Sequence, residues 1–414
     1  MDFKKIFNTY RGLPKEIYIL FIGRIVNSLG AYVHPLMALI LTQKVGLSVI
    51  EAGSFVTILS VCQVPCLMLG GKLADSIGRK KVIIIFQFLG AISLIICGFV
   101  QPSIVMTKII IVSSCFYSIS SPAFEALNAD ITTPQNRKIS YSLLYMGTNI
   151  GFSVGPIIGG LLYENYLPLI FIGDGITTLI ALLLIIMFVK GNKKETHSEG
   201  NNYDLINLER NVEGSAIKVL LKRPILICFA VGALLYSFAY SQWGFALPIQ
   251  LGDLFSENGA KLYGMLGGFN GVIVICLTPI LTSLTKKTNI LKSMALGGLF
   301  YAIAFGMFGF IKLPILFYLS ILIMTIGEIL ITINQGTFIA NNTPASHRGR
   351  ISSIIPLIVG AGYAFGPMIM GGIIDTYSIF LGWIIVGISG LLGMSVMLLI
   401  EKYMNSKYYL NKGE

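Results

Sequence analysis

Several ionisable residues lie inside long apolar stretches of this sequence, where a charge is costly to place, among them Arg24, Glu125 and Glu328. If such a stretch crosses a membrane, an ionisable group in it costs about 3 kcal/mol or more and normally faces water, a partner or a substrate. A carboxyl group that meets two compartments in turn could carry a proton between them. Glu328 lies near the middle of its stretch and is the first candidate for this role, with hydrogen-bonded packing as the alternative.

Polar and aromatic residues recur around these charges three or four positions apart, a spacing that places them on one face of a helix. The four stripes are Arg24 and Asn27; Tyr117, Ser121 and Glu125; Tyr236, Tyr240 and Trp243; and Glu328, Thr332 and Gln335. The aromatic stripe could stack on a substrate or fill the space between helices. Arg24 and Glu125 could also simply pair with each other.

The composition indicates the environment in which these stripes lie. Of the 414 residues, 55% are hydrophobic and a further 45 are glycine, whereas 12% are charged. Soluble domains are usually about 45–50% apolar and spread their charges over the surface. The chain is therefore predicted to be a polytopic membrane protein without room for a separate soluble catalytic domain. We expect it not to be an enzyme and to need neither a cofactor nor a metal ion.

Twelve apolar runs are each long enough to cross a bilayer as a helix, which needs about 20 residues. The predicted spans are 17–42, 52–71, 82–100, 104–128, 139–163, 167–189, 224–248, 262–284, 290–311, 314–340, 350–374 and 377–400. Membrane barrels instead show strands of about 10 residues with alternating polarity. The predicted fold class is all-α.

The basic residues predict the orientation of these spans. If the amino terminus and the even-numbered loops share one side, 25 of the 30 Lys and Arg residues lie there. The other side has Lys44, Lys108, Lys261 and Lys312, and Arg24 lies inside a span. This bias predicts that both termini are cytoplasmic. It also accounts for the net charge of +11 without a nucleic-acid partner.

The sequence divides into two similar halves. Three pairs of motifs are offset by 210 or 211 residues: Pro14 and Pro224, Thr133-Pro134 and Thr343-Pro344, and Gly155-Pro156 and Gly366-Pro367. Six spans per half, both entering from the same side, predict a parallel repeat. The predicted domains are a six-helix bundle over 1–189, a polar cytoplasmic linker over 190–222 and a second six-helix bundle over 223–414.

The loop between the second and third spans combines two glycines with an acid that is surrounded by basic residues. Residues 71–81 read Gly-Lys-Leu-Ala-Asp-Ser-Ile-Gly-Arg-Lys-Lys. Gly71 and Gly78 permit a tight turn, and Asp75 can pair with Arg79 or meet the amino end of another helix. The alternative is a basic loop that only sets the topology, in which Asp75 balances charge.

This loop resembles the signature of the major facilitator superfamily, Gly-x-Leu-Ala-Asp-x-x-Gly-Arg-Lys, and lacks only the frequent basic residue at Ser76. The resemblance, together with twelve spans and a duplication, implies a transporter with a site between its halves. In that family the Asp and Arg latch the cytoplasmic gate in the outward-open state, often with an acid that ends helix four. Asp130 occupies that place, so Asp75, Arg79 and Asp130 are predicted gating residues.

The fifth span carries glycines at every fourth position. Its helix-packing residues are Gly147, Gly151, Gly155, Gly159 and Gly160, and the residue that weakens the helix is Pro156. Such a face lets a neighbouring helix approach closely, and the proline removes a backbone hydrogen bond. From Gly151 onward the pattern resembles the fifth-helix signature of the family's twelve-helix drug:proton antiporters and implies gating residues. The alternative is plain packing, and one departure is that residues 111–115 lack the arginine these antiporters carry in helix four.

The resemblance also implies that spans one, four, seven and ten line the cavity, which makes their stripes candidate sites. The proton-coupling candidates are Glu328, Glu125 and Arg24. The substrate-binding candidates are Asn27, Tyr117, Ser121, Tyr236, Tyr240, Trp243, Thr332 and Gln335. Asp174 lies on the sixth span, a peripheral helix in the family, and is predicted to be a structural cap.

These observations predict a plasma-membrane transporter that exports a small amphipathic organic compound by proton antiport with alternating access. Its partners would be that compound, protons and membrane lipid, and we expect a monomer. The alternatives are a proton symporter or facilitator for a polar nutrient such as a peptide or sugar, a lipid flippase, and a sensor without transport. The cavity aromatics and fifth-span glycines favour export, whereas the missing arginine favours the nutrient alternative.

Overall fold

The computed structural model describes residues 11–189, 223–285, 288–342 and 348–410. The predicted linker, and Thr343-Pro344 of the repeat, lie outside these residues. The helices of the first part are α1 (Lys15–Leu29), α2 (Val33–Leu39), α3 (Val49–Ile77), α4 (Arg79–Cys97), α5 (Ile104–Ile131), α6 (Pro134–Phe152), α7 (Gly155–Leu162) and α8 (Leu167–Phe188). The later helices are α9 (Pro224–Gly244), α10 (Ala246–Phe255), α11 (Glu257–Thr285), α12 (Ile290–Phe308), α13 (Pro314–Asn342), α14 (Arg348–Thr376) and α15 (Ile379–Leu410).

The described chain is helical without strands, so the predicted all-α class is confirmed. Eleven of its segments are long and apolar enough to cross a membrane. The twelfth predicted span, 139–163, is instead divided between α6 and α7. The chain bends at Ser153 and Val154, because Pro156 in the first turn of α7 has no N–H to continue the helix ladder.

The first predicted span is also interrupted. Helix α1 ends at Leu29, α2 begins at Val33, and a π-helical turn, Ile40–Lys44, continues α2. The seventh predicted span, 224–248, consists of α9 and the start of α10, with Phe245 between them. These interruptions leave backbone groups that need partners outside the helix ladder.

Contacts within the described residues group the chain into two compact units. The first contains 11–48, 55–189 and 248–275, and the second contains 49–54, 223–247 and 276–410 apart from the undescribed residues. In the first unit α1 packs on α6 and α8, and α4 packs on α5 and α8. In the second, α9 packs on α14 and α15, and α12 packs on α13 and α15. The same pairing therefore occurs twice, as a parallel repeat requires.

Close backbone approaches repeat with the same offset. A methyl group on Gly264 would overlap the carbonyl of Pro156 in the first unit. In the second unit a methyl group on Gly53 would overlap the carbonyl of Pro367. Gly264 lies 211 positions after Gly53, and Pro367 lies 211 positions after Pro156. The Gly-Pro motifs are offset by the same number of residues. The division into two six-helix bundles remains a prediction.

Candidate functional site

The first unit encloses a cavity of about 530 Å³. Helices α1, α2, α3, α4, α5 and α8 supply most of its wall, which mixes aliphatic side chains with hydrogen-bonding ones. The predicted site residues that line it are Arg24, Asn27, Tyr117, Ser121 and Glu125. The structure thus brings the stripes of the first and fourth predicted spans to one cavity. Gln63, Gln87 and Ser113 line it as well, although the sequence did not single them out.

Arg24 and Glu125 face each other across this cavity. Arg24 Nη2 lies 3.8 Å from Glu125 Oε1, and the guanidinium lies 5.1 Å from the centre of the Phe124 ring. The two side chains are 38% and 57% exposed. Because an accessible pair at this distance contributes little, about 0–1 kcal/mol, both groups stay available to a ligand. The pairing named as an alternative therefore exists in the structure, but it is loose.

Asn27 and Tyr117 lie near Thr178 on the same cavity wall. Asn27 Nδ2 donates to Thr178 Oγ1 at 3.5 Å, a long hydrogen bond. The Tyr117 hydroxyl is buried and has no hydrogen-bond partner among the described residues. A buried polar group without a partner costs about 1–3 kcal/mol, so this hydroxyl is a candidate contact for a bound group. Ser121 is exposed on the same helix.

The second unit holds Glu328 against an aromatic cluster. Tyr240 Oη donates to Glu328 Oε1 at 3.0 Å, which joins α9 to α13. The Tyr240 ring stacks on Tyr301 of α12, with ring centres 6.2 Å apart and an angle of 14° between planes. The Tyr240 hydroxyl thus holds one oxygen of the half-buried Glu328 carboxyl group, and the Tyr301 ring packs against the Tyr240 ring.

The other predicted residues of the second unit have different surroundings. Tyr236 is 2% exposed, and its hydroxyl donates to the Met294 carbonyl at 3.1 Å. This places Tyr236 in the packing between α9 and α12. Thr332 is exposed, whereas Trp243 and Gln335 are half-buried.

Arg79 lies between the two acids predicted to form a latch with it. Its Nη2 is 3.6 Å from Asp75 Oδ1, and its Nε is 3.1 Å from Asp130 Oδ2. The neighbouring Lys80 donates to the carbonyls of Ile186 and Val189 at 3.0 and 2.6 Å, which caps the end of α8. The three predicted residues therefore form one ion-pair cluster that joins α3, α4 and α5.

The two glycines of this loop have different structural demands. Gly78 has φ +96°, a left-handed conformation that L side chains rarely adopt, and α4 begins directly after it. Gly71 lies within α3, and a methyl group there would meet nothing within 4 Å. The backbone conformation at position 78 therefore requires glycine, whereas nothing in the structure requires glycine at position 71.

We expect Gly78→Ala to lower stability by about 1–2 kcal/mol, because the left-handed conformation penalises a Cβ atom. Gly71→Ala is the matched control and should leave stability unchanged or raise it by about 0.5–1 kcal/mol, since alanine favours a helix. Thermal unfolding of the detergent-purified variants measures both effects. Equal melting temperatures for the two variants would contradict the strained turn.

The glycines of the fifth predicted span lie against α1 and its continuation. A methyl group on Gly151 would lie 2.5 Å from Ser28 Cβ and 2.6 Å from the Ile25 carbonyl oxygen, and one on Gly155 would lie 2.7 Å from the Ser28 oxygen. On Gly160 it would lie 2.5 Å from the carbonyl oxygen of Ala260. Gly159 has more room, with its nearest neighbours at 3.3 Å. The predicted close approach of a neighbouring helix is therefore present.

A sequence model of the Major Facilitator Superfamily matches residues 20–358, which is most of the chain. The chain belongs to the Major Facilitator Superfamily. It is therefore a membrane transporter by family, as the loop signature implied.

Three relatives within the superfamily match between 45% and 97% of the chain. The MFS-type transporter YttB of Bacillus subtilis is 23% identical over 405 residues, which is 97% of this chain and 98% of that protein. The Na(+), Li(+), K(+)/H(+) antiporter of Planococcus maritimus is 23% identical over 81% of this chain and 84% of its own. The quinolone resistance protein NorA of Staphylococcus aureus is 25% identical over 45% of this chain and 48% of its own.

Solved transporters share the fold. The nucleoside transporter NupG superimposes with a TM-score of 0.75 at 15% identity, covering 94% of this chain and 100% of its own. A peptide transporter, POT, in complex with sulfate superimposes with a TM-score of 0.71 at 15% identity, covering 95% of each chain. At such identity the likeness concerns the superfamily fold alone.

Two residues outside the predicted site lie in polar or aromatic clusters of this superfamily member. Asp174 of α8 lines the first-unit cavity, and Tyr301 of α12 stacks on Tyr240. Asp174 is predicted to be a structural cap, and it does accept the Val33 N–H at the start of α2. The sequence also carried a signal for its place on the cavity wall, because Asp174 is an acid inside an apolar run like Glu328. Tyr301 carried no signal that separates it from other aromatic residues.

Proposed function

We propose that this transporter is a proton antiporter that exports a small amphipathic organic compound by alternating access. The observation that supports this most is the Glu328 carboxyl group, which lies in the membrane-spanning part of α13 with one oxygen held by Tyr240. An ionisable residue at membrane depth in a transporter is a functional candidate, since its charged form is expensive there. A proton that binds and leaves Glu328 would couple the two fluxes.

Two relatives support antiport rather than symport. One is named as a cation/proton antiporter and the other as a quinolone resistance protein. The first spans most of this chain, so its likeness includes both repeats. Export of an amphipathic compound is also consistent with the first-unit cavity, whose volume falls in the range of about 300–1,000 Å³ typical of small-molecule sites.

A polar nutrient is the second candidate cargo. The cavity wall carries the amides of Asn27, Gln63 and Gln87 beside several hydroxyl groups, which suit a hydrogen-bonding solute. Residues 111–115 also lack the arginine of the drug antiporters. Under this alternative the protein would be a proton symporter or a facilitator, and substrate would move with the proton or without it.

Purified protein in liposomes distinguishes these candidates. A pH gradient is imposed in either direction, and uptake is followed for tetraphenylphosphonium, ethidium, a dipeptide, a sugar and a nucleoside. We expect accumulation of the amphipathic cations opposite to the proton flux. Accumulation of a polar solute with the proton flux would support the nutrient symporter instead, and no uptake of any probe above that of empty liposomes would count against transport of these classes.

We place the protein in the plasma membrane with both termini in the cytoplasm, on the charge bias described above. In a variant without the six native cysteines, Ser198→Cys is expected to react with an impermeant thiol reagent only after the cells are opened. Lys312→Cys, from the opposite set of loops, is the matched control and should react in intact cells. The reverse pattern would invert the proposed topology.

A further inference from the structure

Among the described residues, Asp174 and Glu125 are the two that bring a carboxyl group to the wall of the first-unit cavity. It lies in the first half of α8, a helix whose apolar length suffices to cross a membrane. Its side chain is half-buried and reaches the cavity from a helix that was predicted to be peripheral. An acid in this position would normally face water, a partner or a transported group.

No basic residue pairs with Asp174 in the described part of the chain. Arg24, the cation of the cavity wall, lies 3.8 Å from Glu125 and forms no ion pair with Asp174 in the described part of the chain. His34 lines the cavity from α2, and the hydroxyl groups of Tyr32 and Tyr117 lie close enough to interact with the charge of Asp174. The cavity residues supplied by α3, α4 and α6 are uncharged. The ionised carboxylate therefore has no direct countercharge among these neighbours.

The interruption between α1 and α2 gives Asp174 its fixed contact. The Val33 N–H donates to Asp174 Oδ2 at 3.3 Å, because the first N–H groups of α2 have no partner within their own helix. This bond needs only an acceptor oxygen, which a protonated carboxyl group still provides. A carboxyl group has two oxygens, so Asp174 can take a proton on the other oxygen while the first one holds the start of α2.

The unpartnered Tyr117 hydroxyl is a second, independent observation at this site. It is buried, it lines the same cavity, and it lacks a hydrogen-bond partner among the described residues. A hydroxyl group can donate to a carboxylate and accept from a carboxylic acid, so it can serve either state of a nearby acid. In the structure the Tyr117 hydroxyl shares the cavity wall with Asp174 without a hydrogen bond between them.

We propose that Asp174 is a second proton-binding carboxyl group of the transport cycle, in addition to Glu328. This inference rests on the proposed proton coupling. An O–H bond forms at Oδ1 when a proton arrives from cavity water on one side, and it breaks when the proton leaves to water on the other side. Oδ2 remains the acceptor of the Val33 N–H throughout, so the cap at the start of α2 persists while the charge changes.

Reaction with dicyclohexylcarbodiimide tests this in the wild-type protein, because the reagent modifies protonated carboxyl groups in apolar surroundings. The modified peptides are identified by mass spectrometry over a range of pH. We expect an adduct at Asp174 that disappears as the pH rises, and none at Asp75, which is 75% exposed and paired with Arg79. Absence of the Asp174 adduct at every pH at which the protein stays folded would overturn the proposal.

Infrared difference spectra between low and high pH give a second test. Asp174→Asn keeps the acceptor for Val33 but removes titration, so it should lose one protonated-carboxyl band while its melting temperature stays near that of wild type. Glu328→Gln should retain that band and lose another. If Asp174→Asn shows the wild-type bands, Asp174 is only a cap. Neither measurement uses a transported compound, so a failure of export in liposomes would count against the proposed function alone.

A transport assay measures how the loss of this second proton changes accumulation of a substrate. With tetraphenylphosphonium, a carrier that exchanges one proton fewer accumulates about tenfold less per unit of pH gradient, since each unit corresponds to about 1.4 kcal/mol per proton. We expect this loss in Asp174→Asn and not in Glu401→Gln, an acid paired with Lys292 in the second unit. Accumulation by Asp174→Asn equal to that of wild type would contradict the second proton.

Discussion

Glu328→Gln is expected to lower the accumulation of substrate against a gradient by about tenfold or more per unit of pH gradient, while counterflow exchange survives. Glutamine keeps the shape of the side chain and an acceptor for the Tyr240 hydroxyl, which lies 3.0 Å from Oε1. It removes the proton that the carboxyl group would bind and release. Counterflow needs no net proton movement, so the loss separates coupling from binding. Binding of the substrate should also become nearly independent of pH.

The measurement compares pH-driven uptake and counterflow in liposomes made with each variant. Tyr240→Phe is an informative control, because it removes the hydroxyl donor but leaves the carboxyl group of Glu328 able to titrate, and it should still accumulate substrate. If Glu328→Gln concentrates substrate like wild type, Glu328 is not the coupling acid. Glu125 then becomes the next candidate, since it faces Arg24 on the cavity wall of the first unit.

Asp75→Asn is expected to lower turnover about tenfold or more while the substrate affinity stays within about twofold of wild type. In the structure Arg79 lies between Asp75 and Asp130, at 3.6 and 3.1 Å. If this cluster stabilises one conformation of the cycle, neutralising one acid changes the populations of the conformations and leaves the substrate site intact. A change of about 1.4 kcal/mol in that balance corresponds to a factor of ten.

Initial rates and equilibrium binding in the same preparation test this prediction. Asp130→Asn should have the same effect, because it removes the other partner of Arg79. Glu16→Gln is the matched control, since Glu16 lies in the first turn of α1 and forms no ion pair among the described residues. Wild-type turnover in Asp75→Asn would leave the loop as a topology signal alone.

Much of the architecture can be predicted from short stretches of the sequence. Apolar runs of about 20 residues predict membrane helices because each helix satisfies its own backbone in lipid. The loop at 71–81 identified the superfamily. The sequence spacing alone did not determine how Asp75 and Arg79 meet, because they lie in two helices, α3 and α4, that are separated at Gly78. The boundaries of the helices were less predictable. The fifth span, for example, is interrupted after Phe152. The sequence alone could not predict this break, because a proline interrupts a helix or only bends it depending on whether neighbouring groups can bond the backbone groups that it leaves without partners.

The sequence by itself determined the all-helical class, the membrane location, the family and the residue types of the candidate sites. Only the tertiary structure decided which side chains meet. Tyr236 and Tyr240 share one stripe, yet one hydroxyl bonds to the Met294 carbonyl and the other to Glu328. Asp174 likewise gains the Val33 N–H as a partner although 141 positions separate the two residues. Helical periodicity specifies a face of one helix, but the neighbours of that face come from distant parts of the chain, so a side chain's partners are decided only when the helices pack.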